Sequence, residues 1–392
     1  MRGGAREGAG RKAAGLEKKH QRPLYISDKL YELIMSKEIP NCQSFSQKCE
    51  ALLNYSILKS TITSAPQALS SSKNALRFID LFAGIGGIRQ GFEDDNTEAV
   101  FSSEWDKFAV QTYEANFGDT PYGDITQIDA CDIPPHDVLL AGFPCQPFSN
   151  IGRREGFSHT TQGTLFFDVL RILKYHMPKM FLLENVSGIL SIQNGETFKT
   201  ILRSLKELGY SVFWDELDAQ NFGLPQVRRR VIIVGFHPDL DISEFSLPQG
   251  NSSIRNPVSE ILEKNRTGYE ISEHLQKTYL FKKDDGKPQL IDNNSTIQVK
   301  TLVASYHKIQ RLTGTFVLDG PTGIRLFSEL ECKRLMGFPD DFIIPVSRTQ
   351  MYRQFGNSVA VPMIKAVADA MKITLKKSEK SSRATVIVEQ SA

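Results

Sequence analysis

The chain has 392 residues, of which 40% are hydrophobic and 23% charged, and its 47 basic and 45 acidic residues leave a net charge of +2. This composition excludes collagen-like, coiled-coil and wholly disordered chains. No apolar run approaches the roughly 20 residues of a membrane span, and the N-terminal residues lack the apolar core of a secretory signal. Five scattered cysteines predict a reduced, cytoplasmic protein without disulfides or a structural metal.

The first 72 residues predict a small separate module. Basic residues outnumber acidic ones over Arg2–Lys19, which predicts a mobile basic arm. One strand and two helices are predicted after it, over Arg22–Ser27, Asp28–Ser36 and Ser44–Lys59. This order resembles a ribbon-helix-helix unit, which pairs with a second copy and inserts its strands into a major groove, so that Arg22 and Tyr25 would face bases. The alternative is a helical appendage that packs on the rest of the chain or adds non-specific DNA affinity.

From Leu76 onward, apolar segments of strand length alternate with amphipathic segments of helical spacing. The predicted strands are Arg77–Phe82, Ala99–Trp105, Asp137–Phe143, Met180–Val186, Ser211–Leu217 and Val231–Phe236. The predicted helices include Gly163–His176, Thr197–Leu208, Phe327–Met336 and Pro362–Met371. This alternation is typical of an α/β fold with a mostly parallel sheet and helices on both faces.

A glycine-rich turn, AGIGG, follows the first predicted strand. Gly84 and Gly86 would let the backbone pass close to a ligand at the carboxyl end of that strand. Glu104 lies 20 residues after Gly84, where a carboxylate can bind ribose hydroxyls, and the adjacent Trp105 can stack on an adenine. Asp124, near the expected end of a third strand, can accept a hydrogen bond from an exocyclic amine. These residues favour an adenosine ligand without phosphates over a tight turn with helix-capping acids.

Further strand ends carry reactive side chains. Cys145 lies in the loop FPCQPFS, where a thiol can act as a nucleophile if nearby positive charge lowers its pKa. Glu184 lies at the end of a buried strand, and the segment QVRRR leads Arg228 and Arg230 into another. Because reactive groups of open α/β sheets gather at the carboxyl ends of strands, these residues predict an active site.

With these residues the chain resembles the DNA (cytosine-5-)-methyltransferases of bacterial type II restriction–modification systems. The family's motifs occur in order: DLFAGIGG from Asp80, EWD from Glu104, GDI from Gly123, GFPCQPFS from Gly142, GTLFFD from Gly163, ENV from Glu184, QVRRR from Gln226, RLMGFP from Arg334 and QFGNSVAVP from Gln354. The resemblance implies a Rossmann-like, S-adenosylmethionine-dependent methyltransferase fold. The expected division is an N-terminal module (1–72), a catalytic domain in two parts (73–236 and 326–375), a smaller irregular target-recognition domain (237–325) and a disordered tail (376–392).

The resemblance also implies a mechanism. Cys145 would add to C6 of a cytosine that is flipped out of the duplex, and Glu184 would hold or supply the proton on N3. Arg230 and Arg228 would orient the carbonyl of the base. The residues implied to bind S-adenosylmethionine are Phe82, Gly84, Gly86, Glu104, Trp105, Asp124, Ile125, Pro144, Leu165, Asn357 and Val359.

Sequence-specific DNA contacts are expected in the polar segment after the last strand. Candidate contacts are Thr301 and Leu302, which resemble a Thr-Leu landmark of the family, and Lys300, Ser305, Tyr306, His307, Lys308 and Arg311. A solvated loop is the alternative for these charges. The implied partners are duplex DNA and a restriction endonuclease of the same specificity, and the N-terminal module would form a homodimer that represses its own operon. A transfer-RNA cytosine-5 methyltransferase with the same motifs is the alternative function.

Overall fold

The computed structural model describes residues 75–145 and 165–390, with side chains up to residue 379. The predicted N-terminal module, including Arg22 and Tyr25, lies outside these residues. Most of the loop that follows Cys145 also lies outside them.

A six-stranded sheet lies at the centre of the described residues. Its strands are β1 Leu76–Leu81, β2 Thr97–Ser103, β3 Val138–Gly142, β4 Met180–Val186, β5 Ser211–Asp218 and β6 Arg229–Phe236. They follow the order β2-β1-β3-β4-β6-β5, and all neighbours are parallel except β6, which is antiparallel to β4 and β5. The mostly parallel sheet is therefore confirmed, and each predicted strand is present with its ends within two residues of the prediction.

Helices cover both faces of this sheet. They are α1 Gly87–Phe92, α2 Lys107–Phe117, α3 Leu165–His176, α4 Glu196–Glu207, α5 Glu329–Met336, α6 Arg348–Asn357 and α7 Val361–Gln390. Because successive side chains of a strand point to opposite faces, Phe78 packs with α1 and α7 while Ile79 packs with α3 and α4. No helix in the described part of the chain combines the length and hydropathy that a membrane span requires.

The direction of β6 follows from the short connection before it. Only residues 219–228 join β5 to β6, whereas a parallel neighbour needs a crossover of about a dozen residues or more. The start of β6 therefore lies at the same edge of the sheet as the end of β4, and Arg230 pairs with Val186 across the two strands. This edge is also where β1 and β3 end.

Residues 237–325 contain little regular structure. Two short parallel strands pair within them, β7 Gln289–Ile291 and β8 Thr315–Val317. Apolar side chains of this segment, including Phe316, pack in one cluster with residues of α5 and α6. The segment's core is therefore continuous with the helices that follow it.

The C-terminal residues correct one prediction. Disorder was expected from residue 376, but α7 continues to Gln390. The sequence after Met371 contains no Gly or Pro that would end the helix. The helix is also held to the rest of the molecule, because Lys179 Nζ lies 3.1 Å from Glu379 Oε1 and Ser378 Oγ donates to Leu240 O at 2.6 Å.

Candidate active site

The turn between β1 and α1 has a backbone conformation that favours glycine. Phe82, Gly84 and Gly86 have φ values of 54°, 56° and 80°. A Cβ added to Gly84 would meet nothing within 4 Å, whereas one on Gly86 would lie 2.2 Å from the ring of Phe117. Positive φ is rare for a bulky residue such as Phe82 and often marks a functional site. The turn thus presents open space above Gly84 at the carboxyl end of β1.

Glu104 fixes this turn to the end of β2. Its Oε2 accepts the Gly84 N–H at 2.9 Å and its Oε1 accepts the Asp106 N–H at 2.7 Å. Burial raises the pKa of the Glu104 carboxyl, and these backbone hydrogen bonds oppose the shift. Each carboxylate oxygen can accept a further hydrogen bond, so the group can still bind a ligand hydroxyl. The neighbouring Trp105 side chain is 81% exposed and offers a flat apolar surface beside the turn.

The structure corrects the expected position of Asp124. It does not end a strand but caps a 3-10 turn, Ile125–Gln127, and its Oδ1 accepts the Thr126 N–H at 3.0 Å. The segment still lies beside the end of β2, because Tyr122 forms an isolated parallel bridge with Ser103. Ile125 is buried and Asp124 is exposed, so this carboxylate remains accessible.

The late segment between α6 and α7 returns to the glycine turn. A Cβ added to Gly87 would lie 2.4 Å from Ser358 Oγ and 3.0 Å from Val359 Cγ2. Gln354 attaches α6 to α2, because its Nε2 donates to Phe108 O at 2.8 Å. Val359 is buried, and Asn357 is exposed at the end of α6. The fold therefore brings this segment to the start of α1, as the cofactor hypothesis requires.

The predicted nucleophile and acid lie on adjacent strands. Gly142 at the end of β3 pairs with Glu184 near the end of β4. Asn185 Nδ2 donates to Phe143 O at 2.8 Å, which holds the start of the loop that carries Cys145. Cys145 and Pro144 are described, and burial raises the pKa of the Cys145 thiol. Leu165 begins α3 beyond the part of the loop that is not described.

Glu184 and Arg230 form a largely buried ion pair. Arg230 Nε lies 2.8 Å from Glu184 Oε1, and the two side chains are 11% and 10% exposed. Burial raises the pKa of the Glu184 carboxyl, while the charges of Arg230 and Arg228 oppose that shift. A carboxyl with a raised pKa keeps its proton to a higher pH than usual, which suits donation of a proton or a hydrogen bond to a ligand. A Cβ added to Gly142 would lie 3.7 Å from Glu184 Oε2 and 3.3 Å from Ile88 Cδ1, so the end of β3 lies close to this carboxyl.

Arg228 does not take the predicted position. Its side chain is fully buried, and its guanidinium donates to Leu302 O and Gly356 O at 3.0 Å each and also to Ser358 O. Burial and the Arg230 charge lower the pKa of the Arg228 guanidinium, and the Glu184 charge opposes that shift. These three carbonyls bind both terminal nitrogens of the guanidinium, while its buried Nε has no hydrogen-bond partner in the described part of the chain. Because the side chain is fully buried on backbone carbonyls, the expectation that Arg228 orients a cytosine carbonyl is corrected.

Four of the predicted DNA contacts bind the protein's own backbone or core. Thr301 Oγ1 donates to Val227 O at 2.7 Å, Leu302 is buried, and the buried Tyr306 hydroxyl donates to Thr315 O at 2.6 Å. The Arg311 guanidinium is also buried and binds Asp285, Leu280 O and Lys283 O. These side chains stabilise residues 237–325, so the prediction that Tyr306 and Arg311 face DNA is corrected. Lys308 is exposed and Ser305 and His307 are half-buried, so these three stay predictions.

Two residues of the site were not predicted. Asn185 holds the loop of Cys145, as described above. Asp80 is a buried carboxyl in β1 whose two oxygens have no hydrogen-bond partner, and burial raises its pKa to about 8. The available signal for Asp80 was an acidic residue inside the apolar strand RFIDLF.

Comparisons with known proteins agree with this geometry. Residues 76–373 match the family model of C-5 cytosine-specific DNA methylases. The chain is 62% identical over 397 residues to the type II methyltransferase M.BsuFI of Bacillus subtilis, which covers 95% of this chain and 97% of the relative. The type II methyltransferase M.MspI of Moraxella sp is 55% identical over 315 residues, with coverage of 80% and 75%.

Solved structures show the same fold. The crystal structure of Spodoptera frugiperda DNMT2 has a TM-score of 0.63 at 21% identity and covers 76% of this chain and 99% of that one. The S. pombe Dnmt2 structure has a TM-score of 0.60 at 21% identity, with coverage of 77% and 99%. Since the family model spans most of the chain and the curated relatives are similar over most of its length, the chain belongs to the C-5 cytosine-specific DNA methylases and is a DNA (cytosine-5-)-methyltransferase.

Proposed function

We propose that this enzyme transfers a methyl group from S-adenosylmethionine to C5 of a cytosine within a specific duplex DNA sequence. One observation carries the proposal. The loop of Cys145, the Glu184–Arg230 pair and the glycine turn lie along one edge of the sheet, at the neighbouring strands β1, β3, β4 and β6. This shared edge supports a site in which a nucleophile, a proton donor and a ligand-binding turn act together.

The residues around the glycine turn fit the cofactor. Open space above Gly84, acceptor capacity on Glu104 and the exposed Trp105 ring suit the backbone approach, ribose and adenine of an adenosine ligand. Asp124 is accessible for the adenine edge, and Val359 packs at the start of α1. When bound, S-adenosylmethionine supplies the electrophilic methyl group.

The protein's own residues prepare the base. The Cys145 thiolate forms a bond to C6 while Glu184 provides a proton at N3, so that the electron pair of the C5–C6 double bond becomes available at C5. Arg230 holds Glu184 in place and offsets the charge that develops on the ring. C5 then bonds to the methyl group and releases its proton to solvent water. The electron pair of that C–H bond restores the C5–C6 double bond as the C6–S bond breaks to restore the thiolate, and N3 returns its proton to Glu184. A stacked cytosine cannot reach these groups, so the base is flipped into the crevice at a cost of a few kcal/mol.

The names of the relatives supply a biological context. Both curated relatives are called type II methyltransferases, which supports methylation that protects DNA from a partner endonuclease of the same specificity in the cytoplasm. The alignment with M.BsuFI covers 95% of this chain and so extends before Leu76. For residues 1–72 we retain the paired DNA-binding module that regulates its own operon and the helical appendage as the two hypotheses. Footprinting of the full chain on DNA upstream of its own gene, with unrelated DNA of equal length as the control and no methylation target in either, separates them. Only the paired module protects a defined sequence in the upstream DNA, whereas an appendage protects neither DNA or both alike.

The function is tested by transfer of a labelled methyl group to duplex DNA and, in parallel, to bulk transfer RNA. We expect label in DNA that contains the target sequence, and its position follows from bisulfite sequencing of DNA from an expressing host. Cys145→Ser should abolish transfer while DNA and cofactor binding persist. A covalent adduct with DNA that carries 5-fluorocytosine at the target should form with the wild type and not with this variant. Label in transfer RNA alone, or comparable turnover by Cys145→Ser, would contradict the proposal.

A further inference from the structure

Arg228 connects two segments that are far apart in the sequence. One carbonyl that it binds, Leu302 O, belongs to the segment in which DNA contacts are proposed. The other two, Gly356 O and Ser358 O, belong to the segment between α6 and α7 that lies against the start of α1. We call residues 237–325 the recognition segment and residues 356–359 the cofactor-side segment. The Arg228 guanidinium therefore binds both segments.

The two segments are in direct backbone contact at this point. A Cβ added to Gly356 would lie 2.1 Å from Ala304 N and 2.3 Å from Val303 C. Such close approach leaves no room for a side chain or a water molecule. A displacement of either segment therefore changes the distance between the carbonyls that share Arg228.

Neighbouring residues fix the recognition segment but do not reach the cofactor side. Gln226 Oε1 accepts the Leu302 N–H at 2.8 Å, and the Val227 N–H donates to Val299 O at 2.9 Å. Asp218 Oδ1 accepts the Arg228 N–H at 3.0 Å, so the backbone of Arg228 is also held. Among the described side chains of residues 226–228, Arg228 makes the hydrogen bonds to residues 356–358.

Because the Arg228 charge is buried, the loss of any of its carbonyl acceptors is costly in free energy. The Arg228 side chain is fully buried, and a buried cation that loses an acceptor is left poorly compensated. Movement of Leu302 away from Arg228 therefore also disfavours the present position of residues 356–358, and the reverse holds as well. Two residues further on, Arg230 pairs with Glu184, so the same segment also carries part of the proposed active site.

We infer that Arg228 is a positioning residue that couples the recognition segment to the cofactor-side segment, so that cofactor and DNA each strengthen the binding of the other. The inference rests on the proposed function. Coupling of this kind is reciprocal and commonly amounts to about fivefold or more in affinity.

The experiment measures one ratio in the full-length protein. Two dissociation constants are measured for an unmethylated duplex that contains the target sequence. The ratio is the constant without S-adenosylhomocysteine divided by the constant at a saturating concentration of S-adenosylhomocysteine. We expect a ratio of about five or more for the wild type. Arg228→Met, which keeps an apolar stem of similar length, should bring the ratio close to one. Arg228→Lys should give an intermediate ratio, because an ammonium group has no fork to span two segments.

Arg311→Met is the matched control. It removes a guanidinium from another buried arginine side chain, but the hydrogen-bond partners of that guanidinium all lie within residues 280–285. Its ratio should equal that of the wild type, even if its thermal stability falls. If Arg228→Met does not fold, the comparison of Arg228→Lys with wild type decides.

Three outcomes overturn the inference. They are a wild-type ratio near one, an Arg228 variant that folds and keeps the wild-type ratio, and an equal loss of the ratio in Arg311→Met. Failure of the proposed function would be distinct, because the wild type would then not methylate duplex DNA at all.

Discussion

Three successive arginines, Arg228, Arg229 and Arg230, have three different environments. Arg228 is buried on backbone carbonyls, Arg229 is exposed with its Nε 3.3 Å from Asp218 Oδ2, and Arg230 pairs with Glu184. The motif predicted that at least one arginine points toward the strand ends that carry Glu184, and Arg230 pairs with Glu184. It could not separate Arg228 from Arg230, because residues two apart in a strand share a face. Arg228 precedes the first residue of β6, and its side chain follows the packing of remote segments instead.

Glu184→Gln tests the proton at the active site. We expect kcat to fall about 10²–10⁴-fold, because the amide has a similar volume but cannot transfer a proton. Methylation of target duplex is the measurement, and Glu207→Gln at the exposed end of α4 is the control, with activity unchanged. If kcat of Glu184→Gln stayed within threefold of the wild-type value, Glu184 would not be the proton donor.

The same variant should change how stability depends on pH. Burial raises the pKa of Glu184 above its ordinary 4.5, so the folded state binds a proton that the unfolded state has already lost. This contribution is present below pH 4.5 and is lost as pH rises through the folded-state pKa. As pH rises from 4.5 through the folded-state pKa of Glu184, the melting temperature should fall less for Glu184→Gln than for wild type.

At the scale of elements, sequence periodicity predicted the six strands and most helices because their apolar positions face a core. The direction of β6 was not predicted, since a strand's sequence does not encode which way its neighbour runs. Helix α6 was also missed, because its residues RTQMYRQFGN are mostly polar and only one face is buried. Tyr306 and Arg311 were predicted to contact DNA because their side chains are polar. Both instead bind partners within the protein, Thr315 O and Asp285, which sequence spacing does not identify.

Gly356 tests the contact between two of these elements. Gly356→Ala should destabilise the protein by about 1–3 kcal/mol, because the new Cβ would overlap the backbone of Val303 and Ala304 and neither can move as a side chain would. Gly188→Ala is the control, since its Cβ would have nothing closer than 3.9 Å. Thermal unfolding of both variants measures the difference. Equal melting temperatures would show that the two segments separate easily.

At the scale of the whole molecule, residues 237–325 have two kinds of side chain. Some attach the segment to the rest of the fold, such as Thr301 on Val227 O and Arg325 on Glu331 at 2.7 Å. Others are exposed, such as Lys308. Sequence-specific readout is expected from the exposed side chains, because a buried side chain cannot contact a base edge.

An exchange of residues 237–325 with those of a relative of different specificity should transfer that specificity. The chimaera should retain Thr301, Leu302 and Arg325, because their contacts reach residues outside the segment. Bisulfite sequencing of host DNA identifies the methylated sequence. A chimaera that is active at the original sequence would place the readout in another part of the chain.

The exposed Trp105 ring has an optical consequence. The chain contains two tryptophans. The other, Trp214, lies in β5 at the opposite edge of the sheet, is 43% exposed and packs edge-on against Phe198. Indole emission depends strongly on whether water or an aromatic ring covers the chromophore. An adenine stacked on Trp105 would replace water over most of one face, whereas Trp214 would keep its surroundings. If the cofactor stacks on Trp105 as proposed, the intrinsic fluorescence of the native chain would report cofactor occupancy without an added dye.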